Sequence, residues 1–151
     1  MENFNGIKNI ALGALAAAGA VIALALGGWD GTLKALLAFM AADYVTGLVV
    51  AAVFRRSPKT ERGALSSRAG FLGLVKKCDI LLLVLLAVLL DEATGSGIIR
   101  AGVCLFFTAN EGLSILENLG LMGVPYPGFL RDMLEAMRKK NDDDVEGEGW
   151  T

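Results

Sequence analysis

Residues 106–127, FFTANEGLSILENLGLMGVPYP, decide how the rest of the chain is read: an apolar run carries a stripe of acids and amides and then stops at Pro125 and Pro127. Asn110, Glu111, Ser114, Glu117 and Asn118 recur at helical spacings, so they share one face of a helix while Leu113, Ile115, Leu116 and Leu119 cover the rest. In a soluble protein this would be an ordinary surface helix. Upstream, however, residues 98–107 are apolar except for Arg100, and three more apolar runs come before them. The stripe is therefore expected in or beside a bilayer, where an ionisable group costs about 3 kcal/mol unless it is paired or wet. Each such group becomes a candidate functional residue.

The totals agree with a membrane protein. Hydrophobic residues make up 54% of the 151-residue chain and mean hydropathy is +0.55, above the usual range for a soluble domain of this size. A net charge of −2 argues against general attraction to nucleic acid. With no histidine and two cysteines, Cys78 and Cys104, both in apolar runs, neither a histidine-based metal site nor a histidine-dependent triad can be built. No cofactor is expected.

The chain begins with a short polar segment and a 17-residue apolar run at 10–26, near the lower limit for a spanning helix. Gly13, Ala17 and Gly19 give it small residues at helical spacing, a packing face in lipid or simply an alanine-rich span. A cleavable signal peptide is the rival reading, set aside because no distinct polar cleavage region follows. The second run, 33–54, carries Asp43 near its middle, roughly 15 Å from either end. Thr46 and Gly47 follow one turn later, so Asp43 either makes a packing hydrogen bond or lines an assembly interface or the lesion, where Gly47 would permit close approach. Between the second and third runs lies a basic connection, Arg55, Arg56, Lys59, Arg62 and Arg68, which Lys76 and Lys77 extend, and which reads as cytoplasmic. The third run, 71–90, is interrupted by Lys76, Lys77 and Asp79. The lysines are expected to snorkel to the surface, with Asp79 pairing with Lys76 one turn back. An acidic turn at 91–97 precedes the fourth run, 98–122, whose stripe extends from Arg100 through Cys104 and Thr108 to Glu117. Either this run spans, and an oligomer turns the stripe towards water, or it lies flat in the headgroups.

The string Asn110-Glu111-Gly112-Leu113-Ser114-Ile115-Leu116-Glu117-Asn118, followed by Gly120, Gly123-Val124-Pro125 and Pro127, resembles the signature of the toxin-secretion and phage-lysis holin family. Asp43-Tyr44-Val45-Thr46-Gly47, residues 67–73 with Lys76-Lys77, and Leu90-Asp91 match in the same order, so the resemblance runs from about residue 7 to 137. It implies a protein that accumulates in the bacterial cytoplasmic membrane, forms homo-oligomers and permeabilises it. A peptidoglycan hydrolase, the endolysin, or in some relatives a toxin, then crosses without needing direct contact. Nothing is catalysed.

The expected architecture is an all-α integral membrane protein. Four transmembrane helices fall at about 10–26, 33–54, 71–90 and 98–122, or three if the last lies flat. A cytoplasmic amphipathic helix at 129–140 and an acidic disordered tail at 141–151 follow, with both termini cytoplasmic. The pore or assembly candidates are Asp43, Thr46, Gly47, Arg100, Asn110, Glu111, Ser114 and Glu117. A small ion channel or proton-linked transporter, and a non-conducting accessory subunit, are the alternatives.

Overall fold

The computed structural model describes residues 2–59 and 63–147, with side chains described over 6–59 and 63–139. Among these residues there is no strand, and five α-helices account for nearly everything.

α1 (Glu2–Ala25) is alanine-rich, which favours helix, and ends at Gly27 and Gly28, both at positive φ. α2 (Gly31–Val49) starts at Asp30, whose carboxylate accepts from the Leu33 amide and the Thr32 hydroxyl, both at 2.9 Å. It continues as a π-helical turn (Val50–Phe54) and stops at Arg55, in the left-handed region. α3 (Ser67–Thr94) ends on Gly95, whose amide returns to the Asp91 carbonyl. α4 (Ile99–Leu121) has no cap of its own. Asp91 supplies one from the preceding helix, accepting from the Ile99 and Arg100 amides at 2.9 Å each. α5 (Gly128–Gly147) follows the proline turn.

α2, α3 and α4 form a bundle with α4 at its centre, touching both of the others and α5. Its core is Leu26, Leu33, Leu36, Met40, Ile80, Val84 and Cys104, with Leu37, Leu81, Leu85, Val103 and Phe107 packed against it. In lipid this core contributes close packing rather than transfer out of water. α1 stands apart, and none of its described side chains is buried.

Among the described residues, three helices are long and apolar enough to cross a membrane: Gly6–Ala25, Gly31–Phe54 and Ile99–Leu121. The protein is thus an all-helical, multi-pass membrane protein. The helix that falls short is α3 rather than the 98–122 segment, because Arg68, Lys76, Lys77 and Asp79 dilute its first half. One other expectation is corrected. Among the described residues Lys76 and Asp79 form no ion pair, and both side chains are exposed. The stretch expected as a disordered tail is helical through 141–147, since no glycine or proline interrupts the helix before Gly147, while 148–151 lie outside the described residues.

Candidate functional site

Beneath the apolar core the bundle changes character. Met40 is followed one turn on by Asp43, Ile80 is preceded by Lys77, and Thr108 is followed by Glu111, so three charged residues from three helices arrive at one level. Lys77 Nζ donates to Asp43 Oδ2 at 2.9 Å and also to Glu111 Oε2. Side-chain exposures of 13% for the lysine, 10% for the aspartate and 9% for the glutamate place all three out of bulk water. The lysine lies inside the bundle as the cation paired with both carboxylates, where an unpaired ion would be strongly disfavoured.

Asn118 completes the cluster from the next turns of α4. Its amide donates to Thr46 Oγ1 at 3.0 Å, to Asp43 Oδ1 at 3.3 Å and to the Asp43 carbonyl at 3.4 Å. Thr46 itself donates to the Asp43 carbonyl at 3.0 Å rather than to its carboxylate. Among the described residues no buried side-chain polar atom lacks a partner. A cavity of about 170 Å³ opens beside the cluster, lined by Asp43, Tyr44, Lys76, Lys77, Glu111 and Ser114 and reaching Ser57 and Lys59 of the basic connection.

The stripe seen in the sequence is therefore divided. Glu111 and Asn118 face α2 and α3 and are buried, whereas Asn110 and Glu117 are exposed. These two line a second gap, about 360 Å³, between α4 and α5, together with Tyr126, Arg131, Glu135 and Arg138. α5 doubles back on α4: a Cβ on Gly112 would stand 2.9 Å from Leu134 Cδ1 and 3.1 Å from Phe39 Cε1, and Tyr126 lies over Gly120. Gly112 is thus buried between Leu134 of α5 and Phe39 of α2, where a side chain would have to displace one of them. At Gly47 a Cβ would meet only the Asn118 amide nitrogen, at 3.7 Å, an ordinary contact, so the expected close approach there is not forced.

Arg100 belongs to a separate assembly at the other end of the bundle. Its guanidinium donates to Asp30 Oδ2 at 2.6 Å, to Asp30 Oδ1 at 3.3 Å, to the Gly28 carbonyl at 3.2 Å and to the Leu26 carbonyl. A side chain on Gly27 would collide with it at 2.5 Å. The turn between α1 and α2 is thereby tied to the start of α4. The guanidinium, and after it the Leu33 amide, hold the Asp30 carboxyl well below the usual carboxylate range. Asp91, bonded by the Ser96 hydroxyl and the Arg100 amide, is lowered too. Gly13 and Gly19 have nothing within 4 Å of a built Cβ, and Ala17 is exposed, so the small face of α1 has no partner among the described residues.

Of the basic connection, Arg55, Lys59 and Arg68 are exposed, and so is Arg56, which reaches the Leu121 carbonyl at 3.5 Å. Arg62 lies outside the described residues. Sequence reasoning missed the roles of Lys77 and Asn118. Each partner lies a whole helix away, and the one available signal was that Lys77 would be a misfit in an apolar run unless something neutralised it.

The profile of the bacteriophage holin family matches residues 20–139, and the chain belongs to that family. The family is one of non-enzymatic, membrane-permeabilising proteins. The chain is 33% identical to a probable holin of Bacillus phage phi105, over 76% of this chain and 79% of that one. It is 38% identical to an uncharacterised protein of Clostridium perfringens (77% and 82% covered) and 36% identical to one of Listeria monocytogenes (85% and 86%). No solved structure matches.

Proposed function

We propose that the protein accumulates in the bacterial cytoplasmic membrane, assembles with further copies and permeabilises it, so that a peptidoglycan hydrolase, or a toxin, crosses and the host lyses. The observation that carries this reading is the Asp43–Lys77–Glu111 cluster: charged groups drawn from three helices and paired inside the bundle, in a chain of the holin family. A purely structural span has no need of them.

The same cluster supports α3 as a fourth span. Lys77 disqualifies the helix by composition, yet its charge is met inside the bundle by two carboxylates, leaving only Lys76, Asp79 and the first turn to reach the inner surface. Four spans put both termini in the cytoplasm, on the side of the basic connection. Asp43, Thr46, Gly47, Glu111 and Ser114 surround the cavity or its edge, Asn110 and Glu117 lie on the outer face of α4, and Arg100 fixes the opposite end. Assembly redistributes these contacts between copies.

The cavity beside the carboxylates favours a second reading, a pore for small ions. Induced expression in bacteria, with a membrane-potential dye and a co-expressed cytoplasmic muralytic enzyme, separates the two. Abrupt depolarisation with enzyme-dependent lysis is expected. Depolarisation without enzyme escape favours the ion pore, and an unchanged potential at well-inserted levels removes both.

A further inference from the structure

We infer that the cavity between α2, α3 and α4 is a binding site for the headgroup of an anionic phospholipid, a phosphodiester that carries hydroxyl groups, as phosphatidylglycerol does. The inference goes beyond the proposed function and holds whether or not the protein permeabilises the membrane.

The charge of the cavity sets the sign of its ligand. Its lining of about 170 Å³ includes Lys59, Lys76 and Lys77 against Asp43 and Glu111, so three ammonium groups face two carboxylates and one positive charge is left over. Lys77 is bonded to both carboxylates. Lys59 and Lys76 are exposed and form no ion pair among the described residues, so the surplus lies with them. A single anion neutralises the site, whereas a cation would add to the surplus.

The hydrogen-bonding groups narrow the choice. Near the basic connection the cavity offers the hydroxyls of Ser57 and Ser66 beside Lys59, all of them donors suited to phosphate oxygens. Ser57 Oγ accepts from the Lys59 amide at 3.3 Å, which leaves its own proton to donate. At the deep end stands Glu111, only 7% exposed, whose Oε2 is taken by Lys77 while nothing among the described residues donates to Oε1. A bare phosphate oxygen is repelled there. A headgroup hydroxyl is a donor and fits.

The position in the fold selects a lipid over a soluble anion. On α3 the charged residues end at Asp79, and residues 80–90 are apolar without interruption. The hydrocarbon layer therefore begins near Asp79, three residues beyond Lys76, and the cavity lies at headgroup level. Between α2 and α3 the cavity is flanked by Tyr44, whose ring and hydroxyl stand 3.6 Å from a Cβ built on Gly73 and Gly70. Leu65, also on the lining, is 57% exposed. A soluble anion leaves that leucine bare, whereas the chain of a lipid held by its headgroup covers it.

The test uses the full chain in a neutral detergent, with native mass spectrometry counting bound lipid per copy. Phosphatidylglycerol is compared with phosphatidylethanolamine, which has no net charge, and with phosphatidylmethanol, an anionic diester without hydroxyls. Glycerophosphoglycerol and inorganic phosphate represent the soluble sources of the same chemistry. The expected result is one phosphatidylglycerol per copy, held about tenfold more tightly than either other lipid, with no binding of the soluble anions at the same concentration. Lys59→Gln and Lys76→Gln should each weaken it by about tenfold, and Lys139→Gln, outside the cavity, should not. Equal binding of the three lipids, or equal losses in the three variants, overturns the site. Soluble anions held as tightly as the lipid overturn its assignment to a lipid. A second measurement does not depend on the lysines. In the chain freed of Cys78 and Cys104, the thiol of Ser57→Cys should react with an uncharged maleimide about tenfold more slowly in phosphatidylglycerol vesicles than in phosphatidylethanolamine ones, as the unoccupied fraction falls. The thiol of Lys139→Cys should react alike in both, and the same slowing at the two positions also overturns the inference.

Discussion

α1 and α4 are nearly equal in length, 24 and 23 residues, and both are apolar enough to cross a membrane, yet α4 is packed against three helices and α1 stands free. The difference lies in what interrupts the apolar residues. The run of α1 is broken only by small residues, so among the described residues no side-chain hydrogen bond or ion pair holds the helix itself, and Arg100 reaches only the turn that follows it, at Leu26 and Gly28. α4 carries Glu111 and Asn118 on its inner face, each with a partner on another helix, Lys77 and Thr46, that only one arrangement of helices supplies. In a solvent that offers no hydrogen bonds, polar groups specify the packing and apolar length specifies only insertion.

The largest effect expected from breaking this arrangement is at Lys77. Lys77→Met leaves Asp43 and Glu111 facing each other without a cation, and removing one partner of a buried pair destabilises by about 3–5 kcal/mol. The midpoint of denaturant unfolding in micelles, followed by helicity, should fall accordingly. The triple change Lys77→Met with Asp43→Asn and Glu111→Gln should recover most of the loss, since no charge then remains. If the lysine change alone is silent, the cluster does not hold the bundle, and α4 differs from α1 only in composition.

A smaller effect is expected at Arg100, which joins the two regions. Arg100→Gln releases Asp30 and the carbonyls that end α1, for about 1 kcal/mol in this partly solvated site. Because the folded Asp30 carboxyl is held below its ordinary value, its stabilisation is present above the ordinary carboxylate pKa and is lost as pH falls through the folded one. Trp29 fluorescence, with Trp150 replaced by Phe, should therefore be flat down to about pH 4 and change below it. In the Arg100→Gln variant the change should move to higher pH. An identical titration in both would remove Arg100 as the cause.

Much of this was legible in the sequence, and the misses share one cause. Apolar runs at 33–54 and 98–122 lie within two residues of helices that end at Phe54 and Leu121, because spacing and breakers act locally. Asp43, Glu111 and the other stripe residues were visible because polar side chains in apolar runs are conspicuous. Their partners were not. The local rule paired Lys76 with Asp79, three residues apart, whereas Lys77 meets carboxylates 34 residues away in either direction. The return of α5 along α4 was hidden too: its amphipathic pattern suits a membrane surface and a neighbouring helix equally, and only Gly112 against Leu134 distinguishes them.

The smallest effect is expected in α1, and it bears most directly on the contrast with α4. Gly13 has open space around it, so Gly13→Leu should shift bundle unfolding by less than about 0.5 kcal/mol, the range of substitutions that touch nothing. The match to the holin family begins at residue 20, so it includes the bundle and only the last turns of α1. A loss well beyond that range would mean that α1 docks on the bundle, and its freedom would no longer separate it from α4. An unchanged midpoint with altered permeabilisation timing would give the small face of α1 a role between copies. If neither quantity moves, α1 is an anchor that meets lipid on all sides.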